Sequence, residues 1–198
     1  MKTNTPHHRL GDLCTRIFQG LSLSRHEGGI EVPVVLIRDI QIGRINAALL
    51  STATVDASAI GSYRIEPGDV LVSAKGTIGK AALVADPLDG VLSSNLMALR
   101  PRTDLIDPAY LYAYFATDHA ARQLEALTRS SVSVKSIRAA DLAALEIPLP
   151  DRTTQQHLGR LALAFDEYQA RTEQCLVAAR TVLNGVMASR MDGKEGRK

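Results

Sequence analysis

Up to about Arg100 the apolar positions come in short runs broken by turns. The segments VPVVLI (32–37), RIEPGDVLVSA (64–74), TIGKAALV (77–84) and LSSNLMALR (92–100) are rich in β-branched and apolar residues and read as strands. DPLDG (86–90) reads as a turn and SLSRHEGG (22–29) as a polar loop. Lys75-Gly76 is a turn signal between two of the strands, so residues 68–84 form a hairpin. Gly79, inside its second arm, marks a bulge or a close approach of backbone.

The period then changes. Residues 107–128 predict a helix, with Asp107 as its N-cap and Pro108 at the first helical position. Tyr110, Leu111, Tyr114, Phe115, Ala121, Leu124 and Leu127 recur on one face, which favours core packing over base stacking for the aromatics. RSSVSVKS (129–136) is polar and basic, SIRAADLAAL (136–145) predicts a short helix capped by Ser136, and EIPLP is a last extended piece.

Beyond Pro150 a third pattern begins. Residues 154–190 contain no proline, and positions 158, 161, 165, 168, 172, 175, 179, 182 and 186 keep a 3-4 spacing. Leu158, Leu161, Phe165, Tyr168, Cys175, Val182 and Val186 carry this stripe, which Leu176 and Leu183 widen. A helix of about five heptads, roughly 55 Å at 1.5 Å per residue, is too long to bury its stripe on a small domain. The stripe therefore predicts pairing with a second helix, from another copy or from a partner.

Composition limits the function. The chain has 198 residues and no apolar run long enough to span a membrane, and MKTNTPHHRLGDL lacks the apolar region of a signal peptide. Cys14 and Cys175 lie far apart and outside any C-x-x-C pair, which suits free thiols in a reducing, cytoplasmic setting. Residues 1–150 carry 15 Lys/Arg against 15 Asp/Glu, so the net +2 arises after residue 150. Any contact with nucleic acid must then come from a local patch or from a partner's charge.

Catalytic motifs are missing. Gly79-Lys80 supplies the GK of a P-loop, but Ala74 and Ala81 stand where the loop needs a glycine and a hydroxyl. The five histidines have no metal-ligand spacing with cysteines or carboxylates, and no G-x-S-x-G elbow occurs. Asp166-Glu167 read as the solvated face of the long helix, not as an acid/base pair.

Several segments in order carry a resemblance. IEPGDVLVSAKGTIGKAALV, VLSSNLMALRP, IDPAYLYAYF and SIRAADLAALEIPLPDRTTQQHLGRLALAFDEY together resemble the target recognition domain of type I restriction–modification specificity subunits, across roughly Arg9 to Met191. The family pattern opens the long helix with E-Q, where this chain has Thr154-Gln155, and Thr154 then reads as a cap. Family members hold two recognition domains and two antiparallel spacer helices; this chain has one of each.

The resemblance implies an α+β fold: a mixed, largely antiparallel β-rich recognition domain with short helices (1–150), one long coiled-coil-type helix (151–191) and a disordered tail (192–198). It implies a half-subunit without catalysis of its own, binding duplex DNA as a two-fold dimer. Its partners would be a DNA adenine methyltransferase, which holds the S-adenosylmethionine, and in some systems a restriction subunit. The expected DNA-contacting residues are Arg38, Arg44, Ser73, Lys75, Thr77, Lys80, Ser94, Asn95, Arg129, Ser130, Ser131 and Lys135, all polar groups at strand ends or in loops. The alternative is a coiled-coil adaptor of a related defence system that targets DNA without a methyltransferase.

Overall fold

The computed structural model describes residues 5–22, 29–128 and 136–192. The chain opens with β1 (His7–Arg9), α1 (Leu10–Leu13) and β2 (Cys14–Gln19), followed by β3 (Ile30–Val35) and a tight hairpin of β4 (Ile40–Gln41) and β5 (Arg44–Ile45). Next come β6 (Ser51–Val55), α2 (Ala57–Tyr63), β7 (Val70–Ser73), β8 (Ala81–Leu83), β9 (Val91–Leu92) and β10 (Leu96–Pro101). Helices α3 (Pro108–Phe115), α4 (Asp118–Leu127) and α5 (Ala139–Ala143), strand β11 (Glu146–Pro148) and the long α6 (Arg152–Asp192) complete it. This is the α+β, mixed-sheet architecture with short helices and a long C-terminal helix that the sequence predicts.

The central sheet is antiparallel, in the order β2-β10-β7-β8, with Ala98 facing both Phe18 and Leu71. A second sheet, β6-β3-β9, pairs β3 antiparallel with β6 and parallel with β9. The alternation along β7 and β10 builds two cores. Val70, Val72, Met97 and Leu99 join Leu10, Leu13 and the helices on one face of the central sheet. Leu71, Leu96 and Ala98 join Phe18, Val35, Ile40 and Leu92 on the other. A strand covered on both faces needs apolar residues at every position, which explains the unbroken VLV run.

Several predicted elements are redrawn: the strand expected over 64–74 keeps only Val70–Ser73, with Pro67-Gly68 in the turn before it. The helix expected over 107–128 is two helices. Asp107 caps α3 by accepting from the Ala109 and Tyr110 amides, as predicted, but Thr117 caps a new helix by accepting from Ala120 N. The strand expected over 92–100 is divided between β9 and β10, which lie in different sheets. Strand 77–84 shrinks to β8, because residues 75–80 form the turn; Gly79 there has φ +94°, and a Cβ on it would stand 3.2 Å from that of Ala121.

The aromatics of α3 are buried in the core. The Tyr110 hydroxyl donates to Pro148 O at 2.5 Å, and burial, with neighbouring Tyr114 adding to it, pushes the phenol up to about 12. Arg138, not Ser136, stands at the N-cap of α5. At the start of α6 the cap is Asp151, not Thr154: its carboxylate accepts from both the amide and the hydroxyl of Thr154. These bonds, the hydroxyl's first, hold the Asp151 carboxyl below its usual range.

Chain contacts divide the molecule into a compact unit up to Leu163 and a second unit from Ala164. The first turns of α6 belong to the compact unit. There Gln155 is 3 % exposed; its Oε1 accepts from Asp107 N and its Nε2 donates to Pro150 O. Ala162 and Leu163 pack against the core, whereas Leu158 and Leu161 on the same helix remain exposed. From Ala164 onward α6 is a helical run whose large apolar side chains are exposed. Among the described residues no helix is long and apolar enough to cross a membrane.

Candidate nucleic-acid interface

The β7–β8 turn, the segment after β3 and the crossing between β9 and β10 meet at one depression of about 540 Å³. It is lined by Ile37, Arg38, Lys75, Gly76, Thr77, Lys80 and Asn95. Five of the residues expected to touch DNA thus come together from three separate parts of the chain. Among the described residues, three of the lining side chains are cationic and none is acidic.

Each cation is held differently. Lys80 reaches across and donates to the carbonyls of Ile40 at 3.2 Å and Ile37 at 3.4 Å, fixing the segment after β3 against the hairpin. Both acceptors are neutral carbonyls, and they hold the ammonium in place. Arg38 donates to the Ser51 hydroxyl at 2.6 Å, and its Nε lies 3.7 Å from buried Asp39, at the outer limit of an ion pair. The Asp39 carboxylate is itself engaged by the Leu36 amide. Lys75 is half-buried. Its backbone pairs with Ser136 and donates to Asn95 O, which puts Ser136 beside the depression.

Asn95 is exposed, and its carbonyl accepts from the amides of Ala74 and Lys75. These bonds fix the backbone of an exposed residue whose carboxamide can both donate and accept. Thr77 is likewise exposed on the turn.

Other expected residues lie elsewhere. Ser73 is fully buried and its Oγ accepts from Lys80 N, so it braces the turn and presents nothing to solvent. Ser94 is half-buried and its carbonyl is taken by the Gln19 amide. Arg44 is exposed at a different depression of about 440 Å³, with Leu83, Val84, Asp86, Pro87 and Leu88 among its lining. Arg129, Ser130, Ser131 and Lys135 lie outside the described residues. Lys80 doubles as a cross-link between two segments, a role that no sequence pattern announces.

The compact unit gathers three cations and an exposed asparagine at its loops, and the helix that follows carries exposed large apolar side chains. Residues 8–174 match the type I restriction modification DNA specificity domain, and the chain belongs to that family. It is 26% identical over 162 residues to the MjaX type I restriction enzyme specificity subunit of Methanocaldococcus jannaschii, covering 79% of this chain and 38% of that protein.

Similar folds are found in a type I restriction–modification system described for its assembly and conformational transition (TM-score 0.65, 20% identity, 94% of this chain and 44% of that one). The HsdS subunit from Thermoanaerobacter tengcongensis is also similar (TM-score 0.59, 19% identity, 88% of this chain and 40% of that one). So is the S subunit from M. genitalium (TM-score 0.56, 17% identity, 84% of this chain and 41% of that one). The chain therefore spans about two fifths of the length of these relatives.

Proposed function

We propose that the chain is a DNA-recognition half-subunit. It binds duplex DNA through the depression around Lys75 and directs a DNA adenine methyltransferase to a bipartite site, as a dimer joined through α6. The observation that carries this reading is the meeting of Arg38, Lys75 and Lys80 with exposed Thr77 and Asn95. Cations and hydroxyls of this kind hold phosphates and set register, while a free carboxamide is suited to a base edge. The balanced charge of residues 1–150 fits such a division of labour, with affinity from a local patch and additional positive surface from the partner. S-adenosylmethionine belongs to the methyltransferase, and a restriction subunit joins the same assembly in a system that cleaves.

The test is methylation mapping followed by binding. Co-expression with the methyltransferase subunit and mapping of modified adenines gives the target. Affinity for that duplex is then measured against salt for the unaltered chain, Lys75→Ala and Arg38→Ala. Each variant is expected to weaken binding to all sequences and to reduce the salt slope by about one, the signature of a lost phosphate contact. Unchanged affinity and slope in both variants place the DNA face elsewhere.

A further inference from the structure

An asparagine in a turn commonly has a structural reason. Its side chain bonds to nearby backbone, or its own backbone takes the left-handed conformation that few other residues tolerate. Asn95, at the step from β9 to β10, does neither. Among the described residues Ile42, and not Asn95, is the non-glycine residue with a positive φ. Among the same residues nothing is bonded to the Asn95 carboxamide; its bonds are made by its backbone. The side chain is nevertheless exposed and lines the depression with Arg38, Lys75, Thr77 and Lys80.

The backbone that carries it is fixed on both sides. Asn95 O accepts from Ala74 N at 2.8 Å and Lys75 N at 3.3 Å. One residue earlier, Ser94 N donates to Leu21 O at 2.6 Å, and Ser94 O accepts from Gln19 Nε2 at 2.6 Å. Ser93 N donates to Val35 O at 3.0 Å. Gly20 permits this approach, because a Cβ there would lie 2.3 Å from Leu92 O and 2.4 Å from Ser93 O. A short side chain on so fixed a backbone has little freedom to lose when it meets a ligand.

Resting on the DNA reading above, we propose that Asn95 reads an adenine through the major groove and so sets specificity at one base pair of the target. The other polar groups of the depression are employed differently. Lys80 holds the carbonyls of Ile37 and Ile40, and Arg38 donates to the Ser51 hydroxyl. Lys75 offers a point charge and Thr77 a single hydroxyl, both suited to phosphate oxygens. A carboxamide sets a donor and an acceptor side by side. In the major groove adenine presents the matching pair, its N7 acceptor beside its N6 amino donor. Guanine shows two acceptors there, thymine an acceptor and a methyl, and cytosine a donor. One such paired contact discriminates against the wrong base on the order of ten- to a hundred-fold.

Selection from a random duplex library tests this, with the full chain in complex with the methyltransferase subunit. The unaltered complex should enrich a target with a fixed adenine at a position where Asn95→Ala accepts any base. For the adenine duplex that variant should bind on the order of ten- to a hundred-fold more weakly, at an unchanged salt slope, because no phosphate contact is lost. Asn95→Asp, which has acceptors only, should turn the same position toward cytosine, whose N4 amino group donates. Asn95→Ala should keep the denaturation midpoint of the unaltered chain, since the bonds at this residue are made by its backbone. An unchanged consensus in both variants overturns the assignment, and so does a loss in Asn95→Ala that is equal on every duplex. An unaltered complex that selects no sequence overturns the DNA reading itself, and this inference with it.

Discussion

Asp69 is 1% exposed, and its carboxylate closes the turn that leads into β7. It accepts from Glu66 N at 2.8 Å and from Arg100 through two parallel bonds of 2.9 Å. Removing Asp69 leaves Arg100 only Glu66 as an ion-pair partner among the described residues and leaves the Glu66 amide without its acceptor, so Asp69→Ala should cost about 2 kcal/mol, read as a lowered denaturation midpoint at unchanged slope. The sequence marks Pro67-Gly68-Asp69 as a turn, but Arg100 lies 31 positions away and no local rule names it. Ser73 and Lys75 show a similar limit. Hydroxyl and amine both read as hairpin polar groups, yet Ser73 sits where the central sheet is covered on both faces and Lys75 lies past its edge. Burial on the second face depends on a sheet assembled from β6, β3 and β9, and a strand's own alternation cannot report it.

At the scale of elements, the place where α6 leaves the compact unit is set by a close approach. A Cβ on Gly159 would come within 2.8 Å of Ala109 Cβ and Tyr110 N, both on α3. Gly159→Ala gains about 1 kcal/mol of helix propensity but forces the two helices apart, for a net loss of about 1–2 kcal/mol by chemical denaturation. Gly185→Ala, in the same helix with nothing within 4 Å, should be neutral or slightly stabilising. Elements with their own signals were legible: the Asp107-Pro108 cap, the β7 run and the unbroken α6. The break at Thr117 was not, because the apolar stripe continues in phase across it and hides a second cap. Nor was the division of β9 from β10. Ser94 and Asn95 looked like polar interruptions of one strand, but they lie where the chain steps from one sheet to the other.

For the whole molecule, both cores lie in the unit that ends at Leu163. A chain ending at Leu163 keeps both cores, so it should unfold cooperatively on heating and run as a monomer by light scattering, whereas the dimer proposal expects the full chain to run at twice its mass. A truncated chain that fails to fold would show that the helix beyond Leu163 is required for the cores. The antiparallel pair of β1 with β11 also has a consequence. His7, His8 and Arg9 lie beside Pro148, Ile147 and Glu146, so the strand that begins the unit touches the strand that leads into the long helix. A fold whose first and last strands are neighbours can be lifted out of one polypeptide and set into another without stretching either junction. The unit is in that sense a cassette: what lies between these two strands can be exchanged while β1, β11 and the start of the long helix stay in place.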